Sequence, residues 1–136
     1  MQIEIVNLDE VLNDLIDTPR LREAVGKACA VVERKAKEKA PKDTGALRRS
    51  ITSKVETEGQ DIVGTVFTPL EYAPYVEYGT GLFAESGGRK DVPWNYQDDK
   101  GNWHSTSGQK PQPFMRPAFN ESREEILRII KEAFND

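Results

Sequence analysis

Between Thr18 and Pro41 the apolar residues Leu21, Ala24, Val25, Ala28, Val31, Val32 and Ala36 recur at intervals of three and four, with Lys and Arg filling much of the space between them. That spacing predicts one long amphipathic helix with a single apolar stripe. Thr18 before Pro19 supplies the start, because a cap hydroxyl satisfies an orphan N–H and a proline in the first turn has no N–H to lose. Pro41 disfavours helical geometry in the residue before it, so the helix should stop near Ala40. A helix of this kind gains most of its stability by covering an apolar surface, which the rest of the chain must provide.

The middle of the chain reads as that surface. Gln2 to Ile5 alternates polar and apolar, predicting a short strand, and Asn7 with Glu10 three residues on resembles a capping box opening a helix over Leu8 to Ile16. Asp43 or Thr44 can cap one helical turn through Leu47. Ile51, Ser53, Val55 and Thr57 then fall on one side of an extended chain and Thr52, Lys54 and Glu56 on the other, a strand with one wet side. Glu58, Gly59 and Gln60 make a turn into a return strand of Ile62, Val63, Thr65, Val66 and Phe67. Tyr72 to Tyr78 reads as a short helical or turn segment, its aromatics packed under the sheet or the long helix, that runs into a hinge at Gly79 and Gly81. A final helix after Pro117 would bury Phe119, Ile126, Ile129, Ile130 and Ala133.

The expected fold class is therefore α+β: an antiparallel sheet of about four strands, with a long N-terminal helix and a C-terminal helix packed on one face. A length of 136 residues fits one domain, 1–136. The polar, glycine-rich stretch before Pro113 is too long for an ordinary connection and predicts an inserted arm at 84–109, either an extended loop or a β-hairpin. Its turn would lie at Asp99 to Asn102, pairing Trp94 and Tyr96 on one strand with Trp103 on the other.

The net charge of −4 conceals two ends. From Arg20 to Arg49 there are ten Lys and Arg against four acids, giving +6 and leaving −10 for the remainder. A solvated helix face with opposite charges nearby explains this; so does a basic face that meets an acidic face of a neighbouring subunit, or nucleic acid. No apolar run is long enough to span a bilayer and no basic-then-apolar leader opens the chain, so the expected place of synthesis is the host cytoplasm, with no membrane partner.

Chemistry is sparse. Cys29 is the sole cysteine and excludes an internal disulfide and a cysteine-based metal cluster; beside an apolar stripe it reads as a small core residue. His104 is the sole histidine and falls in the arm, leaving no parts for a Ser-His-Asp relay. Gly79, Gly81, Gly87 and Gly88 lack the Gly-Lys-Ser/Thr context of a phosphate loop. The residues therefore point to no catalytic site, no metal and no cofactor.

Three segments carry more: Ala40-Pro41-Lys42-Asp43-Thr44-Gly45-Ala46-Leu47-Arg48-Arg49-Ser50-Ile51, then Tyr72-Ala73-Pro74-Tyr75-Val76-Glu77-Tyr78-Gly79-Thr80, then Pro113-Phe114-Met115-Arg116-Pro117-Ala118. In this order, between a long N-terminal helix and a C-terminal helix, they resemble the gene-product-ten-like tail-component family of HK-type siphophages, which occurs also in prophages. The resemblance spans nearly the whole chain and is weakest in the arm. It implies a non-enzymatic virion protein at the head–tail junction, a tail-completion or neck subunit that forms a ring, hexameric in such proteins. The partners it implies are further copies of the chain, a head-completion or connector protein, a tail-tube protein, and DNA passing through the channel. The alternative from the residues alone is a nucleic-acid-binding module using the basic helix face.

Within those segments Leu47, Ile51, Tyr72, Val76 and Phe114 should be core, while Arg48, Arg49, Glu77 and Arg116 have charge available for partners. Glu77 in a tyrosine-rich segment and Arg116 between Met115 and Pro117 should each be partly desolvated and could serve one another. Trp94 and Trp103 are of the residue type that anchors interfaces.

Overall fold

The computed structural model describes residues 1–6, 18–42, 45–59, 61–85, 87–88, 91–98 and 100–134. In chain order the elements are β1 (Gln2–Val6), α1 (Thr18–Lys39), α2 (Ala46–Ser50), β2 (Thr52–Glu58), β3 (Asp61–Phe67), α3 (Ala73–Tyr78), a 3-10 turn (Gly81–Phe83), β4 (Trp94–Gln97), β5 (Trp103–Thr106) and α4 (Met115–Phe134). They fall into two compact units, Met1–Pro69 with Phe114–Asp136, and Leu70–Pro113. The helix expected over Leu8 to Ile16 and the caps expected at Asp43 and Thr44 lie outside the described residues.

The first unit is built on an antiparallel sheet in the order β1-β3-β2. It has three strands where about four were expected, because the remaining two candidates, β4 and β5, pair only with each other. The register sets Ile5 and Val55 either side of Gly64, and Glu4 and Lys54 either side of Thr65. One face thus carries Ile5, Ile62, Gly64 and Val66, and the other carries Glu4, Lys54, Glu56 and Glu58, the wet side anticipated for β2.

α1 lies on the apolar face. Leu21, Ala24, Val25, Ala28, Val31, Val32 and Ala36, the whole expected stripe, are buried, and Cys29 is buried beside them. The contact is close because the central strand has no side chain at Gly64: a Cβ there would stand 2.6 Å from Val25 Cγ1 and nearer still to Cys29 Sγ. A glycine inside a strand is the usual mark of such an approach. Each fully buried Val, Leu or Ile contributes about 1.5–3 kcal/mol, so this stripe is the main adhesive of the unit.

α4 packs chiefly along α1 and makes only a small contact with β1, so the two helices do not share the sheet face equally as expected. Its buried line is Met115, Ala118, Ser122 and Ile126. Phe119, Ile129, Ile130 and Ala133, expected in the core, are only partly covered. Small side chains at Ala118 and Ser122 let the helix backbone come near, and the Ser122 hydroxyl donates to the Ala118 carbonyl at 2.6 Å, so its polarity is satisfied within the helix. Lys35 and Lys39 of α1 reach the Glu121 carbonyl (3.1 Å) and carboxylate (2.8 Å), tying the two helices at the surface.

α2 is a single turn that opens at Gly45, whose φ of 73° is left-handed, with no side-chain cap. Leu47 and Ile51 point inward as expected.

Candidate assembly surfaces

The unit Leu70–Pro113 buries little of its aromatic content. α3 turns Ala73 and Glu77 inward, while Tyr72, Tyr75 and Tyr78 stand exposed. The sequence placed those tyrosines, and Tyr72 and Val76 in particular, in the core; Val76 is half-buried and Tyr72 exposed. The reason is helical phase: on six residues, the face that packs is the one with the small Ala73, and the tyrosines occupy the rest.

After α3 the chain is clamped to its own return. Thr80 N–H donates to the Gln109 carbonyl (2.9 Å), Gln109 N–H to Thr80 Oγ1 (2.9 Å), and Leu82 N–H to the Ser107 carbonyl (3.0 Å). Gly81 and Gly108, both with positive φ, lie backbone to backbone, and neither has room for a Cβ. These four bonded residues hold the two ends of the expected arm side by side.

The arm does contain a hairpin, β4–β5. Its register sets Tyr96 opposite His104 and Gln97 opposite Trp103. Trp103 therefore faces away from Trp94 and Tyr96, and the expected aromatic pairing across the strands does not form; side chains alternate with a period of two, so one residue of offset moves Trp103 to the other face. Tyr96 stacks instead on His104, ring centroids 5.2 Å apart. At the tip Asp98 accepts from the backbone N–H groups of Lys100 and Asn102, each at 2.9 Å, and pairs with His104 Nε2 at 2.7 Å. The His104 hydrogen bond, followed by the Asn102 N–H, holds the Asp98 carboxyl below the usual carboxylate range. Trp103 is 70% exposed, whereas Trp94 is half-buried. Of the large apolar side chains that stand well exposed among the described residues, all but Leu127 belong to this unit.

Glu77 is fully buried and Arg116, in the other unit, is half-buried; neither is without a partner.

Much of the basic segment is used up inside the first unit. Lys27 pairs with Glu23, Lys37 with Glu33, Lys35 with Glu125 and Lys39 with Glu121. Arg22 donates to Thr57 Oγ1 (2.8 Å) and the Val55 carbonyl (3.0 Å), fastening α1 to β2. To that extent the charge is a solvated face with its opposites nearby, and such exposed pairs contribute little each. No hydrogen bond or ion pair among the described residues holds the side chains of Arg34, Lys42, Arg48 or Arg49.

Two concavities in this unit bear on what it can bind. One, about 430 Å³, opens between the start of α1 and the end of α4, lined by Arg20, Glu23, Ala24, Lys27, Ile129, Glu132 and Ala133. Its charges balance, and Arg20 already donates to the Ala133 carbonyl. The other, about 400 Å³, is lined by Glu33, Arg34, Lys37, Glu38, Lys42 and Arg48. There Nε and Nη2 of Arg48 are buried with no hydrogen-bond partner among the described residues. Arg49 is exposed to solvent. No group of His, Cys, Asp and Glu suited to a metal occurs among the described residues, and no described helix is long and apolar enough to cross a membrane.

Cys29 is not poised for chemistry. Burial, and secondarily the Glu33 charge, push its thiol from 9.0 to about 11. Because the folded value lies above the unfolded one, the buried neutral thiol stabilises the fold fully below pH 9.0, and that stabilisation is lost as pH rises towards about 11. The span corresponds to roughly 2–3 kcal/mol. Denaturation of the wild type is expected to weaken more steeply between pH 9 and 10.5 than that of Cys29→Ala; equal slopes would mean the thiol is not desolvated.

No curated protein and no solved structure matches the chain. A protein-family comparison does: residues 6–79 match the family described as "Bacteriophage HK97-gp10, putative tail-component". The matched stretch takes in α1, the Ala40–Ile51 segment, the β2–β3 hairpin and α3, and ends before the arm and the Pro113–Ala118 segment. With more than half of its residues matched, the chain belongs to the HK97-gp10-like family of bacteriophage tail components.

Proposed function

We propose that this chain is a structural subunit of a phage neck or tail that works by closing into a ring, hexameric by the resemblance, between a head-completion or connector protein and the tail-tube protein. Its work is geometry, with no turnover, and DNA passes through the ring. The observation that carries this reading is the concentration of exposed apolar side chains in Leu70–Pro113, with Tyr75 at 60% and Trp103 at 70% exposure. Exposed aromatic patches of this kind mark surfaces that bind other proteins. The arm at 84–109 is the natural reaching element, and Arg49, Trp94 and Trp103 are candidate contacts.

The test removes the arm and keeps its clamp. Replacing 85–106 by a short glycine bridge leaves Thr80 to Leu82 and Ser107 to Gln109 in place. The shortened chain should retain wild-type helix content and lose ring formation in electron micrographs, along with production of joined, infectious particles. Normal rings on tails would overturn the arm's role, and failure to fold would show that the unit needs the arm for its stability.

A further inference from the structure

Two electrostatic irregularities in the first unit are complementary. The first is Arg48. Its Nε and Nη2 form the side-on edge of the guanidinium, the pair of donors that grips a carboxylate with two parallel bonds. Among the described residues that edge is buried without an acceptor, in a concavity whose other described cations are Arg34, Lys37 and Lys42. Glu33 and Glu38 also line it, so among the described residues four positive and two negative groups leave an excess of two positive charges. Glu33 is occupied with Lys37 at 3.7 Å. A buried donor pair left unmet is costly, which makes a partner from outside the unit the natural explanation.

The second is the tip of the β2–β3 hairpin. Glu58 and Asp61 lie directly opposite each other across the strands, both exposed. Like charges in that position repel. No cation among the described residues attends them; Lys54, on the same face, is taken by Glu56 at 3.2 Å and lies over the Phe67 ring. Gly59, with a φ of 61°, lies between Glu58 and Asp61 in the turn.

We propose that the Arg48 pocket receives the Glu58/Asp61 hairpin tip of a second copy of this chain. The inference rests on the reading of the chain as a self-assembling subunit and names the contact. Pocket and tip are different surfaces, so the contact is head-to-tail, the kind that generates rings when the rotation closes. Arg34 and Lys42 are exposed long side chains and can swing aside to admit the carboxylates.

The test uses two variants of the full chain, Arg48→Glu for the pocket and Glu58→Arg with Asp61→Arg for the tip. Each alone should self-associate at least roughly thirtyfold more weakly than wild type, the lower range for losing one side of a desolvated charge pair. Mixed in equal amounts, they should recover association, because the intact tip of one variant fits the intact pocket of the other. The tip residues are exposed, so that variant tests the contact even if Arg48→Glu fails to fold; circular dichroism checks both. If both variants are folded and assemble like wild type, the contact is wrong and the assembly reading stands. A wild type that stays monomeric at all concentrations overturns both. If the variants self-associate normally and Arg48→Glu instead loses salt-sensitive retention of a DNA oligonucleotide, the pocket serves phosphate and the proposal falls.

Discussion

Replacing Gly64 with alanine is expected to destabilise the first unit by about 3 kcal/mol, the upper part of the usual range for overpacking a core. The new methyl would press on Val25 Cγ1 at 2.6 Å and on Cys29 Sγ more closely. Both belong to short side chains on a helix that is itself held down along its length, so neither can swing away. Alanine also restricts the unfolded chain and is the better strand residue, effects worth roughly 0.4–1 kcal/mol in its favour; the clash outweighs them. Adding Cys29→Ala should recover part of the loss, because it removes the nearer of the two obstacles and leaves the other. Chemical denaturation of the two single variants and the double variant measures this, and strictly additive losses would show that α1 does not rest on the strand at this point.

Glu77→Ala is expected to cost a similar amount, roughly 3 kcal/mol, in the other unit. The side chain is fully buried and the residue is not without a partner, so truncation opens a void and disturbs its polar surroundings. Glu77→Gln keeps the volume and part of the hydrogen bonding and should lose less. The two substitutions are distinguished by location. Hydrogen exchange should quicken first within Leu70–Pro113 for Glu77→Ala, and first in α1 and the three-stranded sheet for Gly64→Ala. An Ala variant as stable as wild type would mean that the buried carboxylate is dispensable.

Gly64 also shows where sequence reading stops. Periodicity located α1 and its buried stripe residue by residue, because a long helix with one partner surface repeats the same signal many times. It located the β2–β3 hairpin and the wet face of β2 for the same reason. The glycine inside Ile62-Val63-Gly64-Thr65-Val66 was the available signal for the α1 contact, a strand residue with nothing to pack, and an apolar tally passes over it. Ser122 is hidden likewise: its place in the buried line of α4 depends on a hydroxyl turned back on Ala118, which hydropathy does not record. Short elements read worst. α3 offers six residues, too few for a phase to be chosen, and Tyr75 and Tyr78, with Tyr72 at the N-cap, lie on the exposed side and not in the core. Trp103 failed by one residue of register, which only the hairpin's hydrogen bonds determine.

For the candidate surfaces the motif residues were legible and their roles were not. Arg48 and Arg49 look equivalent on the page; one carries a buried, unmet edge and the other is in solvent. The difference comes from the turn opened at Gly45, which sends adjacent side chains in different directions. In the sequence Glu58 and Asp61 are ordinary turn-flanking acids, and they become unusual only once the register sets them face to face.

The short clamp of Thr80 and Leu82 on Ser107 and Gln109 has a consequence for how such a chain can change over time. A segment whose two ends are already fastened together is a cassette: its ends stay put whatever lies between them. Lengthening it costs little, about 0.6 kcal/mol for each doubling of a flexible loop. Different hairpins, longer or shorter and with other aromatic tips, can therefore be exchanged at that seam while Gly64, the α1 stripe and the β2–β3 tip are left untouched. On the proposed reading of the arm as the contact element, partner choice can then drift there while the sheet and its long helix are conserved by their own packing.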